Sequence, residues 1–230
     1  MKDSLGSRIK KYEKVYNQTL TPNSCVFIRV DGKAFHTFTK GSQKPYDQTL
    51  IDAMCYAMVE TSKLMTGFKM AYTQSDECTF MITDFDSIET QGWFDYELNK
   101  LVSISASAFT AFFNWYWHIR ADMPNFTAMF DSRAFVVPES DAPNVFVWRQ
   151  KDWYRNSIQM LAQSLFSQKQ LNGKKISEVL EMLKQKDSDW DYLSDQLKYG
   201  TFYTPDEVLH RQLDYNELKF YMNGLNTVDF

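Results

Sequence analysis

Two β-forming runs separated by only two residues do most to narrow what this chain can fold into: KMAYTQ (69–74) and ECTFMIT (77–83), joined across Ser75-Asp76. So short a joint between aromatic and β-branched segments is a hairpin, and the two runs pair antiparallel. The flanking patterns extend the constraint. SCVFIRV (24–30) is short, apolar and β-branched, reads as a buried strand, and ends at Asp31-Gly32. Residues 47–66 put Leu50, Met54, Met58 and Met65 on one helical face, with Gly67 as the stop. A long helix is expected from Trp93 to about Trp117, because Leu98, Leu101, Val102, Phe109, Phe112 and Phe113 recur at three and four. Its small residues Ser103, Ser105, Ala106, Ser107 and Ala108 let it lie close against a sheet. DSRAFVVP (131–138) is a further strand.

From residue 24 to 137 the order is therefore strand, helix, strand, strand, helix, strand. That is the split βαβ pattern, shared by ferredoxin-like folds and polymerase palms: an α+β class with an antiparallel sheet and helices on one face. Ahead of it, SLGSRIKKYEKVYNQTL spaces Leu5, Ile9, Tyr12, Val15 and Tyr16 as an amphipathic helix, expected to run toward Pro22-Asn23. Behind it, VWRQKDWYRNSIQMLAQSLFS, ISEVLEMLKQK and DYLSDQLK read as helical and TFYT as a short strand. The expected division is a core with its N-terminal helix at 1–140 and a mainly helical region at 141–230 packed on it.

Some function classes fall away on composition. Cys25, Cys55 and Cys78 are odd in number and lack CxxC spacing, and His36, His118 and His210 lack ligand spacing, so neither a disulfide framework nor zinc is expected. No apolar stretch is long enough to span a bilayer, and the polar N-terminus is no signal peptide, so a soluble, cytoplasmic protein is expected. The net charge of -4 argues against recognition of nucleic acid by bulk charge alone and leaves room for a local basic face.

The hairpin joint carries the chemistry. In a split βαβ layout Asp31, ending the first strand, and Asp76, in the turn between the next two, meet at one sheet edge. Two carboxylates so placed repel and lose hydration unless a cation or a proton intervenes. Magnesium is the natural remedy, since it takes hard oxygen ligands and shares a few carboxylates with substrate phosphates. Two such ions serve nucleotidyl transfer. Taken singly, Asp31-Gly32 and Ser75-Asp76 are equally ordinary turns. Their conjunction with Lys33, Lys40 and Lys44 suggests a triphosphate cradle. Asp47 reads either as an acceptor for guanine N1 and N2 or as a plain helix N-cap. No GxxxxGK[ST], GxGxxG or GxSxG occurs, which disfavours P-loop, dinucleotide and hydrolase-elbow chemistry.

Five ordered blocks, RVDGKAFHTF (29–38), KPYD (44–47), YTQSDECTF (72–80), FDSRAFVVP (130–138) and WRQKDWYRNSI (148–158), strongly resemble the tRNA-His guanylyltransferase family, polymerases that add nucleotides 3'-to-5'. The resemblance runs from about residue 2 to about 204. It implies two-Mg2+ catalysis with Asp31, the Gly32 carbonyl and Asp76 as metal ligands. It further implies nucleotide contacts from Gly32, Lys33, Ala34, Phe35 and His36, from Lys44, Ser75 and Asp76, and from Asp47 to the base. Arg29, Lys100, Arg133 and Asn156 sit in matching positions as further candidates; Lys100 reads equally as a solvated helical lysine. Glu77 belongs to the SDE motif as a supporting residue, expected to point away from Asp76. The substrates implied are GTP or another NTP, ATP for activation, and the 5' end of tRNA, with a homotetramer as the family's common assembly.

One departure bears on the task. Where tRNA-His-specific eukaryotic members carry His-Ile-Asn-Asn, this chain has Tyr154-Arg155-Asn156-Ser157. The resemblance therefore points to the guanylyltransferase-like branch, which repairs tRNAs truncated at the 5' end in a template-dependent way. Dedicated addition of the extra guanylate to tRNA-His is the alternative, and a non-catalytic RNA-binding palm is the alternative of another class.

Overall fold

The computed structural model describes residues 4–87, 89–120 and 127–222. In chain order the elements are α1 (Leu5–Lys14), β1 (Cys25–Gly32), α2 (Phe35–Phe38), α3 (Gln48–Ser62), β2 (Phe68–Gln74), β3 (Glu77–Ile82), α4 (Leu98–Arg120), β4 (Phe130–Val137) and α5 (Ala142–Leu165). The short helices α6 (Gln168–Leu171), α7 (Ile176–Lys184) and α8 (Asp195–Tyr199), strands β5 (Thr201–Tyr203) and β6 (Val208–Leu209), and α9 (Tyr215–Met222) complete it. Of the expected 141–230 region, residues 223–230 lie outside the described residues.

One six-stranded sheet runs β4-β1-β3-β2-β5-β6, every pair antiparallel. Its first four strands have the order of the split βαβ layout. Side chains alternate between faces along each strand, and each face has its own core. Val26, Ile28, Val30, Cys78, Phe80 and Ile82 pack under α3 and α4. Phe27, Met70, Tyr72 and Met81 pack under Phe146 of α5 and Leu218 and Met222 of α9. The C-terminal region thus covers the face that the four-stranded pattern leaves bare, and β5 and β6 lengthen the sheet beyond β2. A third cluster, Ile158, Leu161, Val179, Leu183 and Trp190, packs α7 and the turn at 190–192 onto the end of α5.

Local chemistry accounts for most boundaries. Asp47 caps α3 by accepting the Leu50 amide. Ser105 lies flat against β4 and shares a 2.8 Å hydrogen bond with Ser132, as its small size allows. Asn114 sits in the core and clamps Ala128, accepting its amide at 2.8 Å and donating to its carbonyl at 2.9 Å, which sets the entry to β4.

Two expectations need correction. The long helix begins at Leu98, not Trp93: residues 93–96 form a separate 3-10 turn in which Phe94, Asp95 and Tyr96 have positive φ. That turn buries Trp93 and Tyr96, which a continuous helix would swing away. The opening helix stops at Lys14, well before Pro22, and beyond it Thr19 forms a bridge with Glu97. No residue of α1 is buried, and its apolar Leu5, Ile9 and Tyr12 stay exposed. No helix among the described residues is long and apolar enough to cross a membrane.

Candidate active site

β1 runs out at Asp31-Gly32, and in register with Asp31 stand Glu77 of β3 on one side and Asp131 of β4 on the other. Residues directly opposite across an antiparallel pair share a face. Asp31, Glu77 and Asp131 therefore project together from the side of the sheet that α5 covers. The Ser75-Asp76 turn closes beside them, with the Gly32 amide donating to the Asp76 carbonyl at 3.0 Å. That bond ties the end of β1 to the hairpin joint. Ser75 has φ +50, a left-handed conformation that glycine adopts at lower cost. Its hydroxyl donates to Asp76 Oδ1 at 3.0 Å, so the turn orients the carboxylate it presents.

Burial pushes the Asp76 carboxyl above the ordinary carboxylate range; the Ser75 hydroxyl pulls it back, and the charge of Asp31 raises it further. Among the described residues no cation pairs with Asp76. Asp31 faces the Arg133 guanidinium at 3.8 Å, but Arg133 is held closer by Asp131, at 3.0 Å. An under-compensated pair of hard oxygen donors is what a divalent cation relieves, so the residues fit magnesium. No group of three or more His, Cys, Asp and Glu side chains gathers to cage a metal among the described residues. An ion here would lean on two carboxylates, backbone oxygen and substrate phosphate, the usual ligand economy of Mg2+.

Glu77 has a different setting. The turn, rather than strand alternation, separates it from Asp76, and it shares a face with Asp31. Its carboxylate is taken by Arg149 of α5, 2.6 Å away, with Arg29 at 3.9 Å. Arg149 Nη2 also reaches Asp152 at 3.1 Å, and Asn156 donates to the same Asp152 oxygen at 3.3 Å. Burial raises the Glu77 carboxyl and the Arg149 charge opposes it. Arg29 and Asn156 thus join the Glu77 network, one contact removed from the Asp31–Asp76 pair.

The loop after β1 supplies donors. The Lys33 amide is spent on the Met129 carbonyl at 2.8 Å, and Ala34 turns the chain with φ +54. The amides of Ala34, Phe35 and His36 donate to no acceptor among the described residues. Three successive open amides make an anion cradle. The buried Phe35 ring, packed on Phe38, Phe113 and Phe130, holds the loop down over Gly32. A Cβ at Gly32 would stand 2.2 Å from that ring, hence the glycine. Lys33 is exposed and free to reach a bound anion, as are Lys40 and Lys44.

Asp47 is an N-cap, its Oδ1 accepting from Leu50 and its Oδ2 from the Gln43 amide at 3.2 Å. It also lines a cleft with Leu50, Met54, Gln74, Ser75 and Trp153, and each oxygen keeps a second lone pair. Cap and cleft wall therefore coexist in one side chain. Lys100 is not brought to the carboxylates: it lies in the first turn of α4, on the far side of Ser105 from Asn114, and its ammonium pairs with Glu97 at 3.0 Å.

Sequence reasoning overlooked Asp131 and left Arg149 without a role. The signal for Asp131 is its strand register with Asp31, which FDSR alone does not reveal; that for Arg149 is the passage of α5 across the second face.

The tRNAHis guanylyltransferase (Thg1) family model matches residues 6–138. The tRNA(His) guanylyltransferase of Schizosaccharomyces pombe is 31% identical over 154 residues, covering 65% of this chain and 56% of that protein. Among solved structures, a bacterial tRNA(His) guanylyltransferase-like protein in complex with ATP superposes with a TM-score of 0.90 at 36% identity, covering 95% of this chain and 99% of that one. Such a protein in complex with GTP gives a TM-score of 0.79 at 34% identity, covering 96% and 98%.

Proposed function

The chain belongs to the tRNAHis guanylyltransferase family, and from that premise we propose that it adds nucleotides 3'-to-5' to the 5' end of tRNA, repairing truncated ends against a template. The observation that carries the reading is the under-compensated Asp31–Asp76 pair at the sheet edge beside three open amides. In this reading residues 1–140 form the catalytic palm and 141–230 pack on it.

Asp31, the Gly32 carbonyl and Asp76 would hold two Mg2+ ions, which when bound supply Lewis-acid polarisation and neutralise charge growing on phosphoryl oxygens. The chain's own residues do the rest. The Ala34, Phe35 and His36 amides receive a triphosphate, with Lys33 and Lys44 adding charge. Asp47 and the cleft around Leu50 and Met54 orient the base, and Ser75 keeps Asp76 aimed while remaining within reach of a phosphate. The RNA 5' end, adenylylated from ATP or already triphosphorylated, meets the 3'-OH of the bound GTP or NTP in line, and AMP or pyrophosphate leaves. Positioning is the protein's principal contribution.

The run Tyr154-Arg155-Asn156-Ser157 supports repair over dedicated guanylate addition to tRNA-His. The exposed apolar residues of α1, among them Leu5, Ile9 and Tyr12, support assembly with further copies of the chain, a tetramer in this reading. Free Cys25, Cys55 and Cys78 suit a reducing compartment, the cytoplasm.

The test is extension of a tRNA lacking its first nucleotide, with NTPs and Mg2+, against mature-length tRNA-His as the rival substrate. Extension of the truncated tRNA alone supports repair, preference for tRNA-His transfers the assignment to dedicated addition, and binding without incorporation makes the protein a non-catalytic palm. Asp31→Ala and Asp76→Ala are each expected to lower turnover by at least about 10²–10³-fold, the scale on which a directly stabilising group counts.

A further inference from the structure

Trp148, beside the Glu77 network, is 53% exposed as a residue, although it belongs to the half of α5 that packs on the sheet. The Arg149 guanidinium carbon lies 4.4 Å from its ring centre and that of Arg29 5.6 Å. Both guanidiniums also bear on Glu77, so one carboxylate gathers the two cations beside the indole of a residue that stays half exposed. Cations held against an indole fix its plane, since tryptophan is the strongest of the aromatic cation acceptors. The result is a flat, immobilised aromatic surface rather than a loose side chain.

Its position gives the surface a meaning. Arg29 is two residues before Asp31 and opposite Arg133. At about 3.4 Å per strand residue the indole is on the order of 10 Å from the Asp31 carboxylate, a few nucleotide stacking steps. Strand β4 is the outer strand of the sheet on this side, and Asp131 and Arg133 on it are exposed, so the strip from Asp31 to Trp148 opens to solvent. The features that suit a nucleoside triphosphate lie elsewhere: the cleft of Asp47 and Ser75 is at the β2 side of the carboxylates, across the sheet from β4, and the Ala34 to His36 amides follow the end of β1, where Phe35 packs into the core on the sheet face opposite α5. Two reactants that must meet in line need separate approaches.

We propose that Trp148 is a stacking platform for the terminal base of the RNA 5' end, with Arg29 and Arg149 as the residues that hold the indole in place. The assignment rests on the proposed function and adds where the RNA end lies. Base-on-aromatic stacking tolerates any base, which suits an enzyme that must accept ends of varied sequence.

The test uses the full chain and an acceptor-stem hairpin RNA carrying 2-aminopurine as its 5'-terminal base. Native protein is expected to quench the probe. Trp148→Phe, which keeps a π face, should stay within about threefold in Kd, whereas Trp148→Leu, which keeps only apolar bulk, should bind roughly 5- to 150-fold more weakly and lose the quenching. GTP affinity should not change in either variant. Native extension of truncated tRNA together with unchanged RNA binding and quenching in Trp148→Leu would overturn the platform alone. Equal loss of RNA and GTP affinity in both variants, with lowered melting, would overturn it in favour of a structural role. No RNA binding by the native protein would remove the proposed function and the platform together.

Discussion

Replacing Arg149 by methionine isolates what holds the catalytic turn to the C-terminal region. Arg149 and Glu77 are 8% and 13% exposed, and their charged atoms are 2.6 Å apart. At an effective dielectric near 20, that separation corresponds to a Coulomb attraction of about 6 kcal/mol, much of it offset by desolvation of both groups. Arg149→Met leaves the Glu77 carboxylate among Tyr72, Trp148 and the sheet with only Arg29, 3.9 Å away, as a cation. Orphaning a buried charge costs roughly 3–5 kcal/mol; Arg29 offsets part of it, so we expect about 2–4 kcal/mol. For a chain of 230 residues that lowers the melting midpoint by on the order of 5–15 °C. Glu77→Gln combined with Arg149→Met should recover at least half of the loss, because no charge is then buried alone. Urea melts of the two single variants and the pair close the cycle. Additive losses, or a single-variant cost under about 1 kcal/mol, would show that the pair is not coupled as its burial requires.

Three other outcomes are expected. Because burial, with Asp31 adding to it, raises the Asp76 carboxyl in the folded chain, the ionised group lowers stability above that raised value, and the penalty fades as pH falls through it. In chelator, Asp76→Asn should therefore melt above the native protein near pH 7 and converge with it in acid; a lower melting point at pH 7 refutes the assigned strain. Gly32→Ala places a methyl 2.2 Å from a Phe35 ring that Phe38, Phe113 and Phe130 prevent from moving, and should cost about 1–3 kcal/mol in a denaturant titration. Asn114→Ala strips both hydrogen bonds from buried Ala128; a loss of about 2–4 kcal/mol is expected, and hydrogen exchange at the start of β4 should accelerate.

Much of the site's frame was legible in the residues alone. The hairpin at 68–82 follows from β-forming runs with a two-residue joint, and the meeting of Asp31 with Asp76 follows from strand order, because both are properties of short windows and of a small set of allowed topologies. The blocks around RVDGKAFH and YTQSDECTF carry the family for the same reason: each is a local stretch of chain. Register is different in kind. Whether Asp131 or a neighbour stands opposite Asp31 is set by packing summed along β1 and β4, and a one-residue slip would have turned every side chain of β4 to the other face.

The same distinction explains the remaining differences. The periodicity of α1 marks an amphipathic helix, but burial needs a partner, and no residue of α1 is buried among the described residues. The positive φ values at 94–96 answer to the pocket that receives Trp93 and Tyr96. The neutralisation of Glu77 comes from a residue 72 positions later in the chain, carried there by a helix whose own pattern shows only that it is amphipathic. Backbone preference acts over a few residues and is written in them; the pairing of charges across a core depends on where distant elements come to rest, and only the tertiary structure decides that.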